Sequence, residues 1–346
     1  VGSEMCIRDR GNAFQYGALS LGGAVNFVNH SGYTAPGLRV RAEAGSYHYQ
    51  KQSISYGGVE GDLDYYLQAD NYRNEGYRDY SLSKSSGIVA NAGYRFSPKL
   101  ETRLLLRYRD ETHNDPSATT LDAALHHNRR ASATAESSGA GARRPGSIWL
   151  GSKTTYTFDD DARLTVGLSY HDYRHTNSPR SPSNPSYWDW HDLGLLLGYD
   201  RVDTLFGHES RSNIAFTSTQ HLRGGVNSAN DDKVSLKKVN YKGSFDRVIA
   251  LGNDLNLVDN LWLTSGVSFV NVRRDVDIDY AVNRNTTAFP QHVDYDNWSV
   301  APRIGLRYEF SPNLQVFTNF SRSIDPPASW EYSGSGPTPV SYTHLT

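Results

Sequence analysis

Cationic and aromatic residues recur in the polar stretches of this sequence, and their chemistry suits contact with an anionic or planar ligand. Guanidinium groups make forked hydrogen bonds to carboxylates, and aromatic faces stack on planar groups. We predict such contacts, with ordinary loop exposure as the alternative at each position, for Tyr77, Arg78, Arg129, Arg130, Arg143 and Arg144.

Histidines offer two further kinds of chemistry, metal ligation and acid–base catalysis. His126 and His127 are candidate contacts for iron or haem, but adjacent residues rarely point at one metal, and lone loop histidines are usually solvated. His171, Asp172 and His175 are close in sequence, yet adjacent residues of a strand face opposite ways and do not readily form one site. We therefore expect no resident metal, no cofactor and no enzymatic activity.

Composition excludes two broad classes of protein. The 35 basic and 37 acidic residues nearly cancel, so there is no electrostatic footprint for nucleic acid. The chain has no uninterrupted apolar run of the ~20 residues that a membrane-spanning helix needs. The single cysteine, Cys6, excludes an internal disulfide framework.

Alternating apolar and polar residues predict β-strands through most of the chain. Leu38, Val40 and Ala42 share one face of such a segment, and Arg39 and Arg41 share the other. We find about 13 segments with this period of two and no convincing helix. We predict that the charged face lines a polar lumen, with a solvated sheet face as the alternative, at Arg39, Arg41, Glu43, Asp64, Asp70, Arg103 and Arg107.

The connections between these segments alternate in length. Tight turns are predicted at Ser97-Pro98-Lys99, Asp159-Asp160-Asp161 and Ser311-Pro312-Asn313. Long polar loops are predicted at 73–86, 110–148, 174–190 and 273–298. Short turns at one end and long loops at the other are typical of an outer-membrane barrel. A soluble antiparallel sandwich or adhesin is the alternative, because alternation alone serves a dry core equally well.

Aromatic residues mark the turn end of the predicted strands. They lie on the apolar face in the pairs Tyr94 and Phe96, Tyr156 and Phe158, and Tyr308 and Phe310. Such positions suit the interface between lipid and water. Tyr187-Trp188-Asp189-Trp190-His191 is a further aromatic stretch, for which we favour the same membrane belt over a sugar-stacking platform.

A glycine-rich motif precedes the first strand. Residues 16–28 read Tyr-Gly-Ala-Leu-Ser-Leu-Gly-Gly-Ala-Val-Asn-Phe-Val, and such dense glycine permits a constrained turn before a short apolar strand. The string resembles the end of the plug domain in TonB-dependent outer-membrane receptors of the siderophore type. The matching residues are Tyr16, Gly17, Ser20, Gly22, Gly23, Ala24, Val25, Asn26, Phe27 and Val28.

Two more stretches resemble the same family, in the same order along the chain. Residues 75–81 resemble the loop after the third barrel strand, and residues 301–327 resemble a mid-barrel strand pair ending in Ser-x-Ser-x-acid-Pro-Pro. Haem receptors of the family usually carry Phe-Arg-Ala-Pro there, so the departure at 321–327 counts against haem.

The resemblance implies an all-β fold in which a plug lies inside a transmembrane antiparallel barrel of about 22 strands. Since about 13 strands are found, we expect a partial barrel over 37–339, preceded by the C-terminal remnant of the plug over 11–36. Residues 1–10 and 340–346 resemble translated sequencing-adapter read-through, and we expect them to be artefacts.

The resemblance also implies a function, which is active uptake across the outer membrane of a Gram-negative bacterium. A scarce ligand, most often a ferric siderophore, binds loops and plug from outside, and the TonB–ExbB–ExbD complex supplies the energy that opens a path. Iron enters only within the chelate, and lipid and lipopolysaccharide surround the wall. The alternatives are a passive porin, which lacks a plug, and a soluble carbohydrate-binding or adhesive β protein.

Overall fold

A computed structural model describes most of the chain. The described residues are 5–8, 24–116, 118–126, 130, 141–159, 161–178, 186–229, 235–280, 291–311, 314–327 and 342–345. The elements are β1 (Met5–Arg8), β2 (Ala24–Phe27), β3 (Gly37–Gly45), β4 (Tyr49–Glu60), β5 (Leu63–Asn74), β6 (Ser83–Ser97), β7 (Leu100–Asn114), α1 (Leu121–His126), β8 (Gly141–Asp159), β9 (Ala162–Ser178), β10 (Ser186–Leu205), β11 (His208–Ala229), β12 (Ser235–Asn240), β13 (Phe245–Val258), β14 (Leu261–Tyr280), β15 (Gln291–Ser311), β16 (Leu314–Asp325) and β17 (Tyr342–Leu345).

Most of these strands belong to one antiparallel sheet that runs in sequence order from β3 to β17. β12 and β13 share a single position, because each of them pairs with β11 on one side and β14 on the other. The described strands β3 to β16 therefore fill thirteen positions, which agrees with the number predicted. The all-β antiparallel fold class is confirmed. β1 pairs with β2 in a separate ribbon.

One short helix corrects the prediction that the chain has none. α1 has six residues and lies within the predicted loop 110–148. Asp122 in its first turn lies 3.2 Å from His126 in its last, measured from Oδ1 to Nδ1. So short a helix is marginal by itself and leaves no helical periodicity in the sequence. Among the described residues, no helix is long and apolar enough to cross a membrane.

The sheet has an apolar face whose large side chains are exposed. On β3, Leu38 and Val40 are 64% and 71% exposed. The same face continues across the sheet through Ile54, Leu67, Ile88, Leu104, Leu150, Leu168, Leu193, Ile214, Leu251, Ile304 and Val316. Soluble proteins rarely leave so extensive an apolar surface in water, whereas a barrel wall in lipid requires one. This exposure decides against the soluble sandwich, in which the alternation would bury these side chains.

The turn end of the apolar face carries the predicted aromatic pairs. Near-perpendicular ring contacts, with centroids 4.6 to 4.9 Å apart, join Tyr94 to Phe96, Tyr156 to Phe158 and Tyr308 to Phe310. These rings are exposed beside the tight turns, as an interfacial girdle requires. The first turn is tighter than predicted, because β6 ends at Ser97 and β7 begins at Leu100.

At the other end, called the loop end below, the strands are longer than the sequence pattern predicts. β10, β11 and β14 contain 20, 22 and 20 residues, about twice the 9–11 that cross a hydrocarbon layer. β8 begins at Gly141, so Arg143 and Arg144 lie on a strand, and their placement in a loop is wrong. Outside the hydrocarbon layer both faces of a strand meet water, so strand pairing continues after the apolar alternation has stopped.

The opposite side of the sheet, called the polar face below, carries charges predicted for the lumen. Asp64 pairs with Arg103 at 2.5 Å, and Asp70 pairs with Arg109 at 2.7 Å. Each ion pair joins β5 to β7 across β6. At the first crossing β6 contributes Gly93, where a Cβ atom would overlap the Arg103 guanidinium. The small residue is therefore needed for the pair to close.

Candidate ligand-binding site

Four rings form an aromatic cluster on the polar face, at the loop end of β9 and β10. The register places Tyr173 opposite Trp190 and His175 opposite Trp188. Tyr173 and Trp190 stack with centroids 5.5 Å apart and planes 15° apart. Trp188 meets Trp190 edge-on at 5.0 Å, and His175 stacks on Tyr173 at 6.1 Å. The cluster presents flat apolar surfaces on the polar face of the sheet.

Three polar atoms in or beside the aromatic cluster have no hydrogen-bond partner in the part of the chain that the structure describes. The Arg144 guanidinium lies 5.6 Å from the centre of the Tyr173 ring, and its Nη1 is 3.4 Å from Glu111 Oε2. Within the described residues, Nε of Arg144, Nδ1 of His175 and Nε1 of Trp188 are buried without a hydrogen-bond partner. A buried polar group without a partner costs about 1–3 kcal/mol. The Arg144 side chain is nevertheless 40% exposed, so the rest of its guanidinium can donate hydrogen bonds to a ligand.

The orientation of Trp188 and Trp190 corrects the prediction of a membrane belt at 187–191. Leu193 and Leu197 on the same strand are exposed on the apolar face, and successive residues of a strand alternate between faces. The two tryptophans therefore lie on the polar face, where they contact Tyr173 and His175. Tyr187 faces outward on the apolar face, and it is 45% exposed.

A second group of predicted residues meets in the loops. Arg130 lies 5.9 Å from the centre of the Tyr77 ring, and Tyr77 contacts Tyr47 edge-on at 5.8 Å. The backbone N–H of Asp79 donates to Arg130 O at 2.9 Å, and Arg78 Nη2 donates to Pro116 O at 3.0 Å. A cleft of about 960 Å³, lined in part by Arg78 and Arg130, opens between these loops.

The remaining predicted contacts do not join either group. His126 is exposed and contacts Asp122 within α1. Arg143 is exposed on β8. Arg129 and His127 lie outside the described residues, as do Tyr16, Gly17, Ser20, Gly22 and Gly23 of the glycine-rich motif.

Glu75 lines the loop cleft near Arg78 and Arg130. A hydrogen bond from Arg73 and the nearby His48 hold the pKa of the Glu75 carboxyl below its usual value.

One group with the composition of a cation site lies on the apolar side of β9 and β10. His191 is buried there, with Nε2 3.0 Å from Asp189 Oδ1 and Nδ1 2.8 Å from the Tyr170 hydroxyl. Asp172 Oδ1 lies 3.9 Å from Nδ1 of the same ring. Because the two carboxylates approach different ring nitrogens, the group fits a hydrogen-bonded cluster better than the coordination of one ion.

A second such group, Asp275, Asp277 and His292, lies at the loop end of β14 and β15. His292 Nδ1 is 2.8 Å from Asp277 Oδ1, and both side chains are exposed. Surface carboxylates pair with histidine in this way without any ion. His171 faces the polar side, where Nε2 is 3.4 Å from Ser147 Oγ, while its neighbour Asp172 faces the other. These two residues therefore form no acid–base pair, as strand alternation predicts.

A family model described as "TonB dependent receptor-like, beta-barrel" matches residues 8–344. The chain belongs to this family. It is a family of receptors and not of enzymes. The polar face is therefore the lumen wall of an outer-membrane barrel, and the apolar face is its lipid-facing wall. The resemblance carried by the glycine-rich motif and by residues 75–81 and 301–327 led to the correct family.

Solved structures show the same barrel fold. The alcaligin outer-membrane receptor FauA from Bordetella pertussis is 15% identical, with a TM-score of 0.64 over 88% of this chain and 46% of its own. The ferric citrate transporter FecA is 13% identical, with a TM-score of 0.69 over 88% and 47%. The siderophore receptor PiuA from Acinetobacter baumannii is 11% identical, with a TM-score of 0.67 over 95% and 55%. This chain thus spans about half the length of the receptors it matches. No curated protein matches it.

Sequence reasoning did not identify the aromatic cluster as a lumen site. The residues it missed are Tyr173, His175, Trp188 and Trp190. A signal was present, because Tyr173 and His175, like Trp188 and Trp190, are spaced by two and so share a strand face. The polar composition of 174–190 predicts a loop, however, and strand alternation carries no meaning in a loop.

Proposed function

We propose that the whole protein is an outer-membrane receptor that takes up a ferric chelate, and specifically a ferric siderophore, with energy supplied through TonB. The observation that carries this proposal is the lumen cluster in which Tyr173 and Trp190 stack beside three unpaired polar atoms. An anionic chelate with planar groups would stack on the rings and accept hydrogen bonds from the partly exposed Arg144 guanidinium. FecA is a ferric citrate transporter and PiuA is a siderophore receptor, which supports the same ligand class.

The residues of this chain would act by binding and orienting the chelate, without catalysis. Arg144 provides positive charge above an aromatic face, an arrangement that attracts carboxylate or catecholate oxygens. The loop group around Tyr77, Arg78 and Arg130 would make the first contact from outside. Iron is cargo within the chelate and not a cofactor. Because the outer membrane has no energy source of its own, the TonB–ExbB–ExbD complex is the expected partner, with lipopolysaccharide around the wall.

Two other functions fit the structure less well. A passive porin needs an open lumen. Here the segment that contains Gly32 lies on the lumen side of the wall, where the Gly32 N–H donates to Asp64 Oδ2 at 3.1 Å. Oligosaccharide uptake would also use stacked rings such as Tyr173 and Trp190. The guanidinium of Arg144 above the same ring favours an anion over a neutral sugar.

The proposed function predicts energy-dependent uptake of one chelate class. Cells that lack the gene should fail to accumulate ⁵⁵Fe from one of three probes, namely ferric citrate, a ferric catecholate or a ferric hydroxamate. The parental strain should lose the same uptake when tonB is deleted. Unchanged uptake of all three probes in the gene deletion would contradict the proposal. If the gene deletion instead abolishes TonB-dependent uptake of a labelled oligosaccharide, the function is glycan import.

A further inference from the structure

The segment between the glycine-rich motif and β3 is held against the lumen wall at two backbone positions. The N–H of Gly32 donates to Asp64 Oδ2 at 3.1 Å, and the side-chain amide of Asn91 donates to His30 O. The His30 ring also lies 5.6 Å from the ring of Tyr66. Gly32 and Asp64 are both buried. The segment is therefore attached to the wall through its main chain.

Arg103 holds together the two side chains that grip this segment. Its Nη1 donates to Asp64 Oδ2 at 2.9 Å and to Asn91 Oδ1 at 2.7 Å, and its Nη2 donates to Asp64 Oδ1 at 2.5 Å. Charge-assisted, bidentate hydrogen bonds are among the strongest that proteins make. Arg103 thus fixes Asp64 and Asn91 in the positions from which they bind residues 30 and 32.

Close backbone packing reinforces the attachment. A Cβ atom at position 32 would overlap Gly58 O, and one at position 57 would overlap Ala35 O. Ala35 is only 1% exposed, and its N–H donates to Ser31 O at 3.0 Å. The segment therefore lies directly on the main chain of β4, at a distance that only glycine permits.

A second ion pair in the same wall provides an internal comparison. Arg109 and Asp70 join β7 to β5 across β6, just as Arg103 and Asp64 do. The hydrogen bonds of Arg109 go to Asp70 and Ser85, both within the wall. Both arginines thus lie on β7 and form an ion pair with an aspartate on β5. They differ because Arg103 binds the two side chains that hold residues 30 and 32, whereas the bonds of Arg109 stay within the wall.

We propose that Arg103 is a positioning residue for transport. Through Asp64 and Asn91 it holds residues 30–32 against the barrel wall, and this attachment is called the clamp below. Force transmitted by TonB then displaces the residues that precede the clamp and leaves those behind it in place. The inference rests on the proposed function, because it requires a pulling force. Without Arg103 the two gripping side chains lose their common support, and the same force would displace the segment as far as Ala35.

The test uses cysteine accessibility in the whole protein in cells. Every cysteine of the whole protein is first replaced by serine, and single reporters are introduced as Ser20→Cys, before the clamp, and Ala35→Cys, behind it. Each reporter is combined with Arg103→Met or with the matched control Arg109→Met. Labelling by a maleimide is followed with and without TonB, and heat-modifiable migration on gels shows which variants are folded.

In the parent and in Arg109→Met, we expect TonB to speed labelling at position 20 and to leave position 35 unlabelled. In Arg103→Met, TonB should raise the labelling rate at position 35 by at least about ten-fold, which corresponds to ~1.4 kcal/mol. If Arg103→Met does not fold, Asn91→Ala removes the bond to His30 O and should give the same result.

Equal labelling at position 35 in the two arginine variants would overturn the clamp. So would labelling in Arg103→Met that is equally fast without TonB, because it would mean that the residue only stabilises the wall. If position 20 does not respond to TonB even in the parent, the energy-coupled function itself fails, and the clamp fails with it.

Discussion

Leu104→Arg should lower the free energy of unfolding from a bilayer by about 2–4 kcal/mol, the cost of an arginine on the lipid face near the membrane midplane. Leu104 lies on β7, and its side chain is 59% exposed on the apolar face. In water such a substitution would be favourable or neutral, since an exposed leucine would be replaced by a charged residue. The sign of the effect therefore depends on lipid being the solvent of this face.

The matched control is the next residue along the strand. Leu105 faces the lumen and lines a depression of about 460 Å³, where an arginine side chain has room and access to water. Leu105→Arg should therefore cost much less than Leu104→Arg. Both variants are measured by urea titration of the whole protein in lipid vesicles. Equal costs, or a larger cost at Leu105, would contradict the assignment of the two faces.

Trp190→Ala should raise the dissociation constant of the transported chelate about 30-fold, equivalent to about 2 kcal/mol, the effect typical of a central aromatic contact. Trp190 contacts both Tyr173 and Trp188. Its removal therefore takes away one stacking face and leaves the Tyr173 ring, over which the Arg144 guanidinium lies, less firmly held. Trp190→Phe keeps a flat ring in the same place and should retain most of the affinity.

Tyr187→Ala is the control for this substitution. Tyr187 lies on the same strand, but it is exposed on the other face, so its removal should leave the affinity unchanged. The measurement is equilibrium binding of the ⁵⁵Fe-labelled chelate, chosen by the uptake assay, to purified receptor in detergent. A loss of affinity in Tyr187→Ala as large as that in Trp190→Ala would place the ligand elsewhere.

The sequence predicted the membrane-embedded part of the fold well, because there the physical pattern is strict. Lipid on one side and a polar lumen on the other impose the alternation seen at Leu38, Arg39 and Val40, and they place aromatic pairs such as Tyr94 and Phe96 at the interface. The order of strands follows directly, since successive strands of the sheet pair, except that β12 and β13 share one position between β11 and β14. The family followed from the glycine-rich motif and two later stretches.

The loop ends of the strands were predicted poorly for a related physical reason. Outside the lipid, apolar residues are no longer required on either face, so hydrogen-bonded strands continue without a periodic signal. This is why the sequence pattern predicts a loop at Arg144 and a membrane belt at Trp188 and Trp190. The aromatic cluster depends on the register between β9 and β10, which is a long-range property of the sheet.

The central claim, that a ferric chelate binds the aromatic cluster in the lumen, is tested most directly by locating the iron. Crystals of the whole receptor with its chelate, measured at the iron absorption edge, should give an anomalous peak in the lumen beside the stacked rings of Tyr173 and Trp190. A peak confined to the loop cleft near Arg78 and Arg130, or on the outer wall, with none beside the stacked rings, would contradict it.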